Sequence, residues 1–438
     1  MSWFDFFDSP KTQVRHQFGR GINASPSEDE YELFTKSYEA FEKKEVLSAY
    51  TYFLKSLENF TNGISNKNII INEEQDKLNF EIYQGSAKVT GYITHKYLYA
   101  EVILLKKENT HVALKRYLLE KNYQMTYVNY CTDSEYIKLK LYQDNITMNP
   151  QKIFYPLREI ALNADFDKEH IKSEFPDIKL EEIKHIKALD EKELKIKYDF
   201  LQNSIKEVEN KVISLPTNDS AGMLSFIYLN TLFETDYLLV PKYEICQKLT
   251  KKLHYYFNEE ELTVEIKNEE IKQYVNKLRD MDYEEFKTNF YTASYSFSPV
   301  ERASFEDVST FIDGSLTKIR WYKNNRYNQV IPTIYKYIAF YILYNYGVHP
   351  VIRSLLHTLI EVQNSSYFKE LGYETLYDND KETFSQKLII NKIKDAITPY
   401  EKRFKSLEAF GHELNFSSLN EFSHSYYLQI NNLNFEEI

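Results

Sequence analysis

The sequence predicts an α+β protein: an N-terminal five-stranded antiparallel sheet with helices on one face, followed by a mostly all-α region. Three observations carry this. Between residues 77 and 142, short stretches alternate apolar and polar residues and are rich in β-branched and aromatic types, the period-2 pattern of half-buried strands. The turns between them are too short for parallel crossovers, so neighbouring strands must be antiparallel. Beyond LPTNDSAG, residues 215–222, nearly every segment instead carries an apolar stripe at helical spacing.

Residues 1–35 read as an N-terminal arm. MSWFDFFDSPKTQ lacks a basic end and a continuous apolar run, so it does not read as a signal peptide, and its aromatics are free to dock on the body. Gly19 and Gly21 in QFGRGINAS follow no readable strand. They are expected in a flexible loop rather than a phosphate cradle. Residues 30–60 read as two helices or one bent helix, with Ala49, Phe53, Ser56 and Leu57 at helical spacing. The segment faintly resembles a tetratricopeptide hairpin but does not recur, so it is expected to be a packing helix.

Strands are expected near 77–83, 86–93 and 97–106, turning at Gly85-Ser86 and Thr94-His95-Lys96. In HVALKRYLLEKNYQMTYVNYCTDSEYIKLKLYQD, residues 111–144, Val112, Leu114, Leu118 and Leu119 are expected to give a helix one apolar side, with Ala113 and Tyr117 beside it. Strands then follow near 124–131 and 135–142, around a turn at Thr132-Asp133-Ser134. Ile137, Leu139 and Leu141 point one way; Tyr136, Lys138, Lys140 and Tyr142 point the other. Asn149 and Pro150 are a cap and first-turn proline for a helix whose inner stripe is Ile153, Leu157, Ile160 and Ala161. Residues 36–178 thus read as one domain.

This order of elements, with HVALKRYLLEKNYQMTYVNYCTDSEYIKLKL and IFYPLREIALNAD, resembles the fold of type III secretion chaperones and the related YbjN-like family. The resemblance covers about residues 36–175, a third of the chain. It implies an acidic protein-binding domain, often dimeric and without catalytic residues. The chain departs from that family in the large helical part that follows.

Residues 179–214 read as connecting helices. Asp190 and Glu193 form a capping-box-like start. Leu194, Tyr198, Leu201, Ile205, Val208 and Val212 then make a short heptad-type seam. It packs either on a neighbour within the chain or on a second copy, making a homodimer. Residues 215–438 read as an all-helical domain. The longest apolar run, Val330–Val348, is interrupted by Pro332 and Lys336 and is expected to be a buried helix rather than a membrane span.

Of 438 residues, 54 are Lys or Arg and 65 Asp or Glu, a net charge of -11. That disfavours nucleic acid and anionic membrane surfaces, which require a basic face. Glycine is scarce, 10 in all, which speaks against glycine-rich phosphate loops. Cys131 and Cys246 supply no disulfide framework or zinc spacing, and a reducing cytoplasm fits them.

The strongest chemical constellation is His349, Arg353, His357 and Glu361, one every fourth residue, hence roughly one helical stripe. His349, His357 and Glu361 can serve as base and orienting acid or share a metal. Too few ligands accompany them for a complete metal set, and the plainer reading is a polar stripe with an Arg–Glu pair. Glu306 and Asp313 share a face but frame no substrate. Either cysteine as a nucleophile lacks an accompanying motif.

Tyrosine is enriched, 38 residues. Alternation gathers Tyr97, Tyr99, Tyr127, Tyr136 and Tyr142, with Lys138, on the wet side of the sheet, opposite Leu98, Val102, Val128, Ile137 and Leu139. Trp321 and Arg326, in WYKNNRYNQV, are further interface-type residues. The sequence therefore favours a non-enzymatic protein-binding adaptor that needs no cofactor or metal. The alternative is an enzyme with its His/Glu site in the helical domain.

Overall fold

The computed structural model describes residues 16–20, 28–61, 64–181, 184–216 and 220–438. Helices α1 (Glu28–Glu42) and α2 (Val46–Ser56) form a hairpin, and α2 turns Tyr50, Phe53 and Leu54 inward. After a two-residue ribbon pairing Phe60–Thr61 with Ile64–Ser65, six strands make one sheet: β1 (Ile69–Glu74), β2 (Lys77–Gln84), β3 (Ala87–Ile93), β4 (Tyr97–Lys106), β5 (Val128–Thr132) and β6 (Tyr136–Asp144). Helix α3 (Val112–Gln124) separates β4 from β5, and α4 (Pro150–Glu174) closes the lobe. The expected apolar side of α3 splits: Leu114 and Leu118 are buried, whereas Val112 and Leu119 are exposed, because at 3.6 residues per turn they fall on the opposite side of the helix. The sheet is wholly antiparallel, in the order β1-β2-β3-β4-β6-β5.

The sheet has one strand more than the five predicted. Ile69–Glu74 shows no alternation in sequence, and only its first residue is fully buried. Its strand character comes from pairing with β2, Ile69 opposite Ile82 and Glu74 opposite Lys77, which no local pattern announces. The predicted strand at 124–131 also starts later, because α3 runs to Gln124 and the Glu159 carboxylate captures the amides of Thr126, Tyr127 and Val128 at 2.6–3.1 Å.

The pleat sorts the side chains as the alternation requires. Leu78, Phe80 and Ile82 of β2, Leu98, Ala100 and Val102 of β4, and Ile137, Leu139 and Leu141 of β6 are buried. Opposite them lie Ile153, Leu157, Ile160, Ala161 and Ala164 of α4. A bulge between Ile103 and Leu105 turns both Leu104 and Leu105 inward. Gly91 shares the inward parity, and a Cβ there would stand 2.4 Å from the Phe80 ring and from the Tyr99 carbonyl oxygen. The missing side chain is what lets that ring lie across β3. Asn149 caps α4 by accepting the Lys152 amide at 2.9 Å, with Pro150 in the first turn.

The rest is mostly helical: α5 (Glu191–Ser214), α6 (Ala221–Glu234), α7 (Tyr243–Asn258), α8 (Val264–Asp280), α9 (Phe305–Asn324), α10 (Ile331–Asn345), α11 (Pro350–Gln363), α12 (Gln386–Ile397) and α13 (Leu419–Asn431). The α5 seam is consumed within the chain. Leu194, Leu201, Ile205 and Val208 are buried in the helical core, while Tyr198 and Val212 pack against it. Asp190 does cap α5, through the Lys192 amide, but the expected box does not form because Glu193 turns to Lys197, 3.1 Å away. A capping box does form at Ser304 and Asp307, opening α9. The apolar run is α10, buried among its neighbours, and no helix among the described residues is long and apolar enough to cross a membrane.

Two hydrophobic cores result, one under the sheet and one among the helices. The segment after α8 returns to the sheet lobe. Phe297 enters the sheet core, Gly85 N–H donates to the Ser294 carbonyl at 2.9 Å, and Gln84 Oε1 accepts from the amides of Ser296 and Phe297. On the helix side, His170 of α4 meets Gln247 of α7, and Lys172 lies 4.1 Å from the centre of the Tyr243 ring.

Candidate functional site

Two places gather the residues that carry chemistry. The first is the outer face of the sheet. Register sets Tyr92, Tyr99 and Tyr142 directly opposite one another on β3, β4 and β6, with Asn79 of β2 extending the row. Tyr97 joins them: the Tyr92 and Tyr99 rings are 5.3 Å apart, Tyr92 and Tyr97 5.9 Å, and Tyr97 and Tyr142 5.4 Å and stacked. Cross-strand aromatic pairs of this kind stabilise the sheet and leave a flat, amphipathic surface. Tyr142 is 66% exposed, while Tyr97 and Tyr99 are half-buried, each against the Tyr92 ring.

Charges frame the row. Tyr99 Oη donates to Glu101 at 2.6 Å, and partial burial together with that bond raises the phenol above its ordinary range. Lys138 lies 3.3 Å from Glu101 and 2.8 Å from Asp133. Lys77 sits 4.4 Å from the centre of the Tyr92 ring, a cation–π contact. The helices of the sheet lobe pack on the opposite face, where their inward stripes meet the buried strand positions.

The predicted set divides. Tyr97, Tyr99 and Tyr142 cluster. Tyr136 and Lys138 lie at the other end of β6, where Tyr136 is opposite Lys106. Tyr127 is 47% exposed but precedes β5 rather than belonging to it. Trp321 and Arg326 are both exposed and lie in the helical lobe at the end of α9, which packs on α10 and α13. Sequence reasoning missed Tyr92, although its parity with Lys88 and Thr90 in the expected strand 86–93 placed it on this face.

The second place is a cleft lined by Arg353, His357 and Glu361 of α11 and by His349, the residue that caps it. The His357–Glu361 pairing that the spacing allowed is present, and Glu361 takes a further partner from α12. Lys392 of α12 reaches the carboxylate at 3.0 Å, and His357 Nε2 lies 3.3 Å from Glu361 Oε1. Tyr237 completes the chain, its hydroxyl 2.9 Å from His357 Nδ1. Burial, reinforced by Lys392 and Arg353, pushes the His357 imidazole down to about 3, so the ring is neutral. Burial raises the Glu361 carboxyl against the pull of Lys392.

His349 sits apart from this relay. Its Nδ1 caps α11 by accepting the Val351 amide at 3.3 Å, and its ring is boxed by Tyr400, Phe404 and Phe435. Burial and the nearby Arg403 and Arg302 push it down to about 4. It is a cap, separate from His357. Tyr237 and Lys392 belong to other segments and no local spacing joins them to α11. Glu306 and Asp313 are exposed on α9, Asp313 bonded to Asn431. Burial pushes the Cys246 thiol up to about 11 and also raises Cys131, so neither is an activated thiolate. Among the described residues no group of three or more His, Cys, Asp or Glu converges to hold a metal. No protein-family model matches the chain, and no curated protein matches it in sequence.

Proposed function

We propose that this protein is a non-enzymatic, protein-binding adaptor of chaperone type that recognises its partner with the tyrosine row of its sheet. The carrying observation is the row Tyr92, Tyr99 and Tyr142 with Tyr97, amphipathic rings on a face the lobe's own helices leave open. Tyrosine supplies rigid contact area at small entropic cost and a hydroxyl for rim hydrogen bonds. The resemblance to secretion chaperones and YbjN-like proteins supports the same reading, as does the acidic balance, which disfavours nucleic acid. Two unpaired cysteines suit a reducing cytoplasm.

The test is affinity capture with the full-length chain from its native cells. Tyr99→Glu with Tyr142→Glu is expected to lose the captured protein, while Tyr123→Glu, on the exposed side of α3, keeps it. Equal capture by all three chains would refute the choice of face.

A second reading, an enzyme centred on His357 and Glu361, draws on the Tyr237–His357–Glu361–Lys392 chain in the cleft. It is the weaker reading because each of these groups is already engaged by the next. Turnover of a substrate that is lost in His357→Gln while partner capture persists would favour it.

A further inference from the structure

Residues 16–20, His-Gln-Phe-Gly-Arg, form no helix or strand, yet they are seated in the helical lobe as a peptide is seated in a groove. The loop expected at Gly19 is therefore a docked segment; Gly21 lies outside the described residues. Phe18 fills an aromatic box, its ring centre 5.0 Å from that of His357, 5.1 Å from Phe368 and 6.0 Å from Tyr373. Gly19 N–H donates to the Tyr237 carbonyl at 2.9 Å. The backbone there is left-handed, φ +72°, and a Cβ would come within 3.0 Å of the Tyr237 ring. Only glycine meets both conditions without strain. Arg20 then pairs through Nε with the buried Asp236 carboxylate and lies 4.8 Å from the centre of the Tyr344 ring.

The receptor is built for this. Asp236 and Tyr237 lie in a single π-helical turn, Thr235–Leu239, which continues α6 and ends at Val240 with φ +53°. Such turns rotate successive side chains out of α register and recur at functional sites. Here the turn aims the Asp236 carboxylate at Arg20 and the Tyr237 carbonyl at Gly19. Burial raises the Asp236 carboxyl, and Arg20 opposes that rise. An unpaired carboxylate at this depth is costly, so the groove selects a cation.

Every partner named, Asp236, Tyr237, Tyr344, His357, Phe368 and Tyr373, comes from the helical lobe. The ligand comes from the arm that leads into α1 of the sheet lobe. Receptor and ligand are thus separable, and three consecutive residues carry the recognition.

We infer that this groove is a peptide-recognition site for an aromatic-glycine-arginine segment, filled in cis by Phe18-Gly19-Arg20 and able to take the same segment from a second copy of the chain. Tethering gives the cis segment an effective concentration on the order of millimolar. It therefore excludes a second copy's segment until it is released. While seated, it also covers the His357 ring.

The experiment uses the full-length chain and a fluorescent peptide of sequence RHQFGRGIN, followed by anisotropy. Phe18→Ala with Arg20→Ala empties the groove, and this variant is expected to bind the peptide saturably, at least tenfold more tightly than wild type. A peptide carrying Arg20→Ala should not bind, and adding Asp236→Asn to the emptied variant should abolish binding. Gly19→Ala is a milder second background, because it strains the backbone but keeps both anchors; it too should admit the peptide. The inference fails if a variant with wild-type circular dichroism and melting does not bind, or binds the Arg20→Ala peptide equally well. It also fails if both variants lose their cooperative melt, since the segment would then be part of the fold rather than a ligand.

Discussion

The hydroxyl of Tyr237 stands 2.9 Å from Nδ1 of His357, and this one hydrogen bond ties the π-helical turn after α6 to the centre of α11. With Tyr237 donating to Nδ1, the ring's remaining proton resides on Nε2 and faces Glu361. The neutral ring thus faces Glu361 Oε1 at 3.3 Å, and Lys392 anchors the far side of that carboxylate.

A pH dependence follows. The folded chain holds His357 neutral to about 3 and His349 to about 4, whereas an unfolded histidine titrates near 6.5. As pH falls below 6.5 the unfolded chain takes up protons first, so acid draws the helical lobe toward unfolding. His357→Gln removes one of these sites. The stability of wild type relative to that variant should fall from pH 7 to pH 4.5, by up to about 1.4 kcal/mol per pH unit. Urea unfolding across that range checks it, and a flat difference would refute a buried neutral His357.

Asp165 works in the opposite sense at the junction of the lobes. Buried beside Glu169 and accepting from Ser86, it is pushed up to about 7. The folded state therefore keeps this proton at pH values where the unfolded chain has lost it. Its contribution is present in acid and lost as pH rises through 7. Asp165→Asn should flatten that part of the stability curve, read by melting between pH 5 and pH 8.

Gly91→Ala should destabilise the sheet lobe by about 2 kcal/mol or more, because the new methyl meets the Phe80 ring and, unavoidably, the Tyr99 backbone oxygen. Phe80→Leu in the same chain should recover only part of the loss. Full recovery in denaturant melts would mean that the backbone contact is harmless.

The α5 seam gives a prediction about assembly. Leu201→Ala should cost about 3 kcal/mol, the usual penalty for a cavity in a packed core, and leave the solution mass unchanged. A dimer dissolved by that substitution would show that the seam pairs between copies.

At the edge of the sheet, the Glu159 carboxylate occupies the amides of Thr126, Tyr127 and Val128, and Asn122 bonds both polar groups of the Tyr130 backbone. These side chains blunt an edge that would otherwise recruit another strand. Glu159→Ala should speed hydrogen exchange at 126–128 and increase self-association; unchanged exchange would remove Glu159 from this role.

Alternation and helical spacing are local periodicities, and they determined much of this protein from sequence alone. They placed the inward side chains of β4 and β6, the buried seam of α5, and Arg353, His357 and Glu361 along one helix, while residue type placed the Asn149 cap. They reached Tyr97, Tyr99 and Tyr142 for the same reason. What only the tertiary structure decided involves partners distant in the chain. The edge strand Ile69–Glu74 exists through its register with β2, and Phe297 returns to the sheet core. Glu361 takes Lys392, Tyr237 finds His357, and Arg20 finds Asp236 across 216 positions. Periodicity says which way a side chain faces; which group waits there is settled when segments far apart in sequence bury their apolar stripes together and their polar groups must find partners.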